Sequence, residues 1–247
     1  MKQWILLHKE THDWGTTKAS CAAVYALLLN APQAFFAPAH SLVTVGGETV
    51  IPAQNGDTEA RIGYQQRVWE ADAFTPQLAD IAVRTDSVHP TFGACYYQYL
   101  ENPEKVTASG EGLTIQRTLM HPVSDESLAE PVTEKNPARI GERITVRLVI
   151  NSDRELEYVH VEDPHAAAFE PVNIHERRSR YGWVESPRDE ATHFFLDRLP
   201  QGITIIEYDL FATQEGIFSL GATTVECMYA PAHSAHTGGE KVTVLKP

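Results

Sequence analysis

Apolar and polar residues alternate most regularly in the region 139–218. In the run 143–150, every even-numbered residue is a large aliphatic one. A period of two over that length predicts a half-buried antiparallel strand. Several such strands with turns between them favour an antiparallel β-sandwich. Three further β-rich runs, separated by turn residues, lie at 157–163, 193–197 and 202–210.

The same alternation extends the predicted sandwich in both directions. An alternating run at 113–119 opens it, and a run at 241–245 closes it, with another β-rich segment at 223–229. The polar stretches 121–138 and 230–239 read as loops between these strands. We therefore assign 113–247 to one β-sandwich domain.

The N-terminal part of the chain has a helical period instead. Residues 1–13 suit a short amphipathic helix, and residues 18–29 are strong helix formers rich in alanine. Thr16 or Thr17 offers the N-cap of the second helix, and Pro32 ends it. Two helices cannot enclose a core by themselves, so we expect this pair, within 1–36, to be the end of a helical domain.

Between these two regions, residues 37–112 carry a second β pattern. Gly46 and Gly47 separate two short β-rich runs and predict a two-residue hairpin turn. Further strands are predicted at 63–69 and 81–84, and the aromatic run 92–100 is predicted to be a central strand. The fold class is therefore mainly β: an antiparallel β-sandwich preceded by a partial β-sheet and a short N-terminal helical pair.

Composition narrows the classes of partner. The 247 residues carry a formal net charge of −13, which disfavours nucleic acids and anionic membrane surfaces. No apolar run approaches the ~20 residues of a membrane-spanning helix. Three cysteines do not make a disulfide framework, and their apolar surroundings predict buried free thiols.

Several segments, in order along the chain, resemble the C-terminal region of bacterial α2-macroglobulin-like proteins, closest to the Bacteroides-type form. Residues 14–19 and 23–28 resemble the last helices of the thioester-type helical domain. Residues 45–47 and 90–99 resemble the CUB-like segment. The segments that resemble the final macroglobulin-like domain, MG10, are 157–163, 168–173, 185–189, 194–195, 199–202 and 227–231.

This resemblance implies a non-catalytic module of a broad-range endopeptidase inhibitor, a protease trap in which the chain acts as scaffold and conformational gate. Its implied partners are the remaining domains of a parent protein and, through the intact molecule, host or bacterial proteases. It also implies a periplasmic or cell-surface location and no cofactor. In the family, strands from elsewhere complete the CUB-like sheet, so we expect exposed strand edges in 41–100 and a dimer formed through them.

A thioester needs a cysteine acylated by a glutamine three residues on. Only Cys95, with Gln98, has that spacing, and it lacks the Cys-x-Glu-Gln pattern of the family. We therefore assign no thioester to this chain.

The candidate contact surface is an aromatic loop, in which Tyr181, Gly182, Trp183, Glu185 and Arg188 are the residues of interest. In thioester-bearing relatives, an aromatic side chain from a loop of the last domain covers the thioester, so Tyr181 or Trp183 is expected to contact the helical domain. One alternative is ordinary edge packing within the sandwich. Another is a carbohydrate- or peptide-binding module of a cell-surface protein, with 181–183 as its platform.

No catalytic or metal site is assigned. His8 and His12 lie one helical turn apart, but the glutamate is misplaced for a zinc-protease motif and no third ligand is evident. His233 and His236 are expected in a loop. Adjacent carboxylates at 162 and 163 point to opposite faces of a strand, which is poor geometry for acid–base catalysis. A surface ion pair is expected between Arg188 and Asp189.

Overall fold

The computed structural model describes residues 4–5, 8–9, 14–29, 41–50, 66–85, 93–122 and 129–247. The chain divides into two compact units. One is Gly15–Gln98, and the other combines Met1–Trp14 with Tyr99–Pro247. The predicted domain boundaries, at 36 and 112, stay a prediction. Within the described residues, every helix is too short or too polar to cross a bilayer.

Among its described residues, the unit Gly15–Gln98 contains one α-helix, two short 3-10 helices and a small antiparallel sheet. Helix α1 (Thr17–Leu29) is the predicted one. Its N-cap is Thr16, whose Oγ1 accepts a hydrogen bond from the Ala19 backbone N–H at 3.1 Å. The sheet has the order β2-β1-β3. Its strands are β1 (Ser41–Val45), β2 (Glu48–Thr49) and β3 (Ile81–Thr85).

The predicted hairpin turn is confirmed. Gly46 and Gly47 connect β1 to β2, and their φ angles are +60° and +83°. Two successive positive φ angles match the twist of the flanking strands and favour glycine at both positions. The strand predicted at 81–84 is confirmed as β3.

Two other strands predicted in this region are wrong as far as the structure describes them. Residues 66–69 and 93–100 are not in strands; residues 63–65 and 92 lie outside the described residues. Tyr96 and Leu100 are almost fully exposed, at 82% and 102%. A strand exists only where a neighbouring edge pairs with it, and among the described residues neither β2 nor β3 pairs with this aromatic run.

The cysteine prediction holds for one residue in three. Cys227 is buried, and its Sγ lies 3.2 Å from the Glu157 carbonyl oxygen, to which it donates. Cys21 and Cys95 are exposed free thiols, because the helix and the aromatic run that carry them are themselves exposed.

The second unit is the predicted β-sandwich. A seven-stranded sheet has the order β10-β11-β12-β8-β15-β16-β4, a four-stranded sheet the order β5-β7-β13-β9, and a three-stranded sheet the order β14-β17-β6. The strands are β4 (Ser109–Gly110), β5 (Leu113–Met120), β6 (Ala138–Arg139), β7 (Arg143–Ser152), β8 (Leu156–Pro164), β9 (Phe169–Pro171), β10 (Arg177–Arg178), β11 (Trp183–Pro187), β12 (Ala191–Leu199), β13 (Gly202–Ala212), β14 (Gly216–Leu220), β15 (Thr224–Cys227), β16 (Ser234–His236) and β17 (Glu240–Leu245).

The hydrophobic core lies between the inner faces of these sheets. The even-numbered aliphatic residues of β7 are all fully buried. They meet residues of β8 and β12, among which Val159, Val161 and Phe194 are also fully buried. This confirms the alternation predicted for 143–150. The predicted loop 230–239 is partly wrong, because Ser234–His236 pairs with β15 as strand β16.

One ion pair lies inside this core. Arg117, in β5 of the four-stranded sheet, donates from Nη1 to Asp163 Oδ1, in β8 of the seven-stranded sheet, at 2.8 Å, and both side chains are 1% exposed. Thr223 donates to the same carboxylate oxygen at 2.8 Å, and Tyr208 donates to Asp163 Oδ2 at 2.6 Å. Burial, together with the neighbouring Asp163 carboxylate, raises the pKa of Tyr208 well above its ordinary value, so the phenol remains a donor.

Replacing Asp163 by asparagine is expected to lower the free energy of unfolding by roughly 3–5 kcal/mol, because it leaves the Arg117 guanidinium buried without a counter-charge. Urea denaturation at neutral pH measures the change. Asp197→Asn is the matched control, since Asp197 pairs with Arg178 on the surface at 3.2 Å and such pairs contribute ~0–1 kcal/mol. Equal stability of the two variants would contradict the assignment.

Candidate interdomain contact loop

The candidate loop is the tip of a β-hairpin at the edge of the seven-stranded sheet. Strand β10 pairs with β11, and β11 pairs along its length with β12. At the tip, Ser179 N–H donates to the Trp183 carbonyl at 2.8 Å, and Gly182 N–H donates to the Ser179 carbonyl at 3.3 Å. Gly182 has a φ of +95°, which is costly for any residue with a Cβ atom. We refer to residues 177–188 as the hairpin.

The two aromatic residues of the hairpin have different environments. Trp183 is half-buried and packs against the hydrophobic core. Tyr181 is 71% exposed and stacks on Trp183, with the ring centroids 5.5 Å apart and the planes at 22°. The guanidinium of Arg180 lies over the Tyr181 ring, 5.5 Å from the ring centroid. The hairpin therefore holds one aromatic side chain against the core and one mainly in solvent.

Polar contacts hold the base of the hairpin. Glu185 is 4% exposed and accepts hydrogen bonds from Arg177 Nη2 at 2.7 Å and from Asn173 Nδ2 at 3.5 Å. Ser186 Oγ donates to Glu176 Oε1 at 2.9 Å. A buried carboxylate with these partners makes the base stiff. Glu185, one of the candidate contact residues, is therefore part of the internal support of the hairpin.

The ion pair predicted between Arg188 and Asp189 is replaced by another. Arg188 Nη2 lies 3.5 Å from Glu176 Oε1, on the adjoining segment. The chain reverses after Arg188, whose N–H donates to the Ala191 carbonyl at 2.8 Å.

The structure also places several titratable residues to which no catalytic or metal-binding role was assigned. Asp163 is buried and Glu162 is partly exposed, so the two carboxylates do lie on opposite faces of β8. Among the described residues, His8 stacks on Trp4 at 4.9 Å; His12 lies outside them. His165 is mostly enclosed, and this burial lowers its pKa so that the imidazole is neutral.

Among the described residues, one cluster of ligand-type side chains was not predicted from the sequence. His160, Glu162 and His193 meet on the outer face of the seven-stranded sheet. The signal present in the sequence was the spacing of two between His160 and Glu162, which puts both on one face of a strand. The position of His193 beside them depends on the pairing of β12 with β8, which the pattern of either strand alone does not predict.

Residues 112–232 match the family model described as the bacterial alpha-2-macroglobulin MG10 domain. The chain therefore contains an MG10 domain of the bacterial alpha-2-macroglobulin family. The match spans the strands from β5 to β15 and includes the whole hairpin, so the contact loop is part of the MG10 domain.

Solved structures of family members are also similar. Salmonella alpha-2-macroglobulin reacted with methylamine has 20% identity and a TM-score of 0.48, over 58% of this chain and 10% of that one. Escherichia coli alpha-2-macroglobulin activated by porcine elastase has 14% identity and a TM-score of 0.48, over 96% of this chain and 21% of that one. Native E. coli alpha-2-macroglobulin, from domain MG7 to the C-terminus, has 16% identity and a TM-score of 0.47, over 57% and 24%.

The chain thus spans between a tenth and a quarter of the length of these solved chains. No curated protein matches it. The predicted membership of the bacterial alpha-2-macroglobulin family is confirmed, as are the MG10 domain and the mainly β fold. The Bacteroides-type subtype stays a prediction.

The environments of the two aromatic residues predict effects of different size on the stability of the MG10 domain. Trp183→Ala is expected to lower the free energy of unfolding by about 2 kcal/mol, because part of a large side chain leaves the core. Tyr181→Ala is expected to change it by less than ~0.5 kcal/mol, since the ring is mainly in solvent. Thermal unfolding followed by circular dichroism measures both. A larger loss for Tyr181→Ala than for Trp183→Ala would contradict this division of roles.

Proposed function

We propose that this chain is a non-catalytic scaffold and conformational gate of a bacterial alpha-2-macroglobulin-like protease trap. The observation that carries the proposal is Tyr181, an aromatic ring held 71% exposed on a hairpin whose base is fixed by the buried Glu185. An exposed aromatic side chain on a stiff support loses little conformational entropy on contact and suits an interface anchor.

The gate would work through the rigidity of its mounting. Tyr181 stacks on Trp183, which packs on the core. Movement of the sandwich would therefore carry Tyr181 with it, and a shift of the neighbouring domain would remove the ring from its partner surface. When this contact is broken, one face of the Tyr181 ring is no longer buried, and the free energy of that burial is lost. The contact is therefore either made or broken, which gives two discrete states instead of a continuous range.

The domain organisation belongs to the same proposal. Residues 1–36 are the terminal helices of a thioester-type helical domain, 37–112 a CUB-like segment and 113–247 the MG10 sandwich. The remaining domains of the parent protein are the direct partners, and host or bacterial proteases are met only through the intact molecule. The parent works in the periplasm or at the cell surface. The strand edges of the small sheet, β2 and β3, are the surfaces proposed for dimerisation.

The gate predicts a specific phenotype for Tyr181→Ala in the intact parent protein. Removing the ring is expected to favour the opened state before any protease acts, because the contact that holds the closed state is lost. Native gel mobility before and after protease addition, together with the amount of protease retained, measures this. The MG10 domain itself is expected to remain folded.

Tyr229→Ala is the matched control, since Tyr229 is also a loop tyrosine and is 67% exposed. It is expected to behave as the unchanged protein. Unaltered opening and unaltered protease retention in Tyr181→Ala would refute the gate. The same loss in both variants would point to a general surface effect and would also refute it.

A second function, a carbohydrate- or peptide-binding module, is favoured by one observation. The Tyr181 ring is exposed beside the guanidinium of Arg180, an arrangement that can stack on a sugar or contact a peptide. Binding on a glycan or peptide array that is lost in Tyr181→Ala, with normal gating by the same variant in the intact protein, would favour this function over the gate.

A further inference from the structure

The outer face of the seven-stranded sheet brings together three side chains that can bind a metal ion. Strands β8 and β12 are antiparallel neighbours, and His193 is directly opposite Glu162 in their register. His160 is two residues before Glu162 on the same face and lies opposite Phe195. Residues opposite or diagonal to one another in a β-ladder have side chains within reach of a common ligand.

We infer that His160, Glu162 and His193 form a Zn²⁺ site. His160 Nε2 and His193 Nδ1 are 3.0 Å apart, and each of the three residues offers a ligand atom within 4.8 Å of the others. Two nitrogen ligands of a tetrahedral zinc ion are about 3.3 Å apart, given Zn–N bonds of ~2.0–2.1 Å. The two nitrogen atoms, which share a hydrogen bond in the metal-free protein, are thus about 0.3 Å closer than in a zinc site. The Glu162 carboxylate, whose ligand atom lies within 4.8 Å of those of both histidines, would approach the ion by rotation of its side chain.

The surroundings of the histidines also suit a metal site. With Nε2 of His160 directed at the ion, its Nδ1 faces Glu226 Oε1 at 3.9 Å, on strand β15. A carboxylate that accepts a hydrogen bond from the second nitrogen of a ligating histidine fixes the orientation of the ring and increases its basicity, and Glu226 is within ion-pair distance of that nitrogen. Phe195 stacks on His160, with ring centroids 4.8 Å apart and planes at 11°, which restricts the imidazole further.

The donor set selects the class of ion. Two imidazoles and one carboxylate suit zinc and similar first-row ions, whereas Ca²⁺ and Mg²⁺ prefer sites built from oxygen ligands alone. The three side chains are partly exposed, so a fourth position is open to water. The ion would link β8 to β12 through side chains, in addition to their backbone ladder.

The test uses the 247-residue chain, produced without a histidine tag and freed of metal by a chelator. Calorimetric titration with ZnCl₂ is expected to give one saturable site per chain, and the thermal midpoint is expected to rise with zinc concentration. Replacement of zinc by Co²⁺ is expected to give the intense visible absorption of a tetrahedral nitrogen- and oxygen-bound ion. Ca²⁺ and Mg²⁺ are expected to give neither effect.

Variants locate the site. His160→Ala and His193→Ala are each expected to abolish stoichiometric binding, and Glu226→Gln to weaken it about 10-fold. Glu162→Gln is a further ligand variant that preserves side-chain volume and is expected to lose the Co²⁺ spectrum. His175→Ala is the matched control, because His175 is an exposed histidine of the same domain outside the cluster.

Absence of saturable zinc binding would overturn the inference of a zinc site. So would binding that survives His193→Ala, binding that disappears in His175→Ala, or a site that accepts Cu²⁺ and refuses Zn²⁺. Circular dichroism of each metal-free variant establishes that it is folded. If both alanine variants are unfolded, the Glu162→Gln spectrum decides between the two results.

Discussion

The sandwich depends on the buried ion pair between Arg117 and Asp163. It joins the four-stranded sheet to the seven-stranded sheet at a point where both side chains are 1% exposed. Two neutral hydroxyl donors, Tyr208 and Thr223, complete the shell of the carboxylate. A buried charge without its partner is strongly destabilising, so any slip of β5 or β8 by one residue would be opposed by the loss of this pair.

Strand β8, which supplies Asp163 to the ion pair, also carries two of the three candidate metal ligands on its outer face. Asp163 points into the core, and its neighbour Glu162 points outward beside His160 and His193. Strand β12 transmits this fixed register from β8 to β11, whose first residue is Trp183. The position of Tyr181 is therefore determined, through a short series of paired strands, by the arrangement of the core. A scaffold of this kind can present a contact residue without using it for its own stability.

Much of the sandwich was predictable because its signal is local. The alternation in 113–119 and 143–150 requires only one buried face. The ion pair had a signal as well, since Arg117 is in phase with the apolar residues of its strand and Asp163 with those of its own. Its partner could not be assigned, because the two residues belong to different sheets. The three-residue cluster at His193 likewise required strand register. The aromatic run 93–100 was mispredicted because hydrophobicity indicates a need for burial and not the presence of a partner strand.

The central claim is that a rigid MG10 sandwich presents the 177–188 hairpin to another domain and releases it when the trap opens. Hydrogen–deuterium exchange on the intact parent protein, before and after protease cleavage, tests it most directly. Exchange in 177–188 is expected to become faster after cleavage, while β7 and β13 remain equally protected. Unchanged exchange in the hairpin, or loss of protection throughout the sandwich, would contradict it.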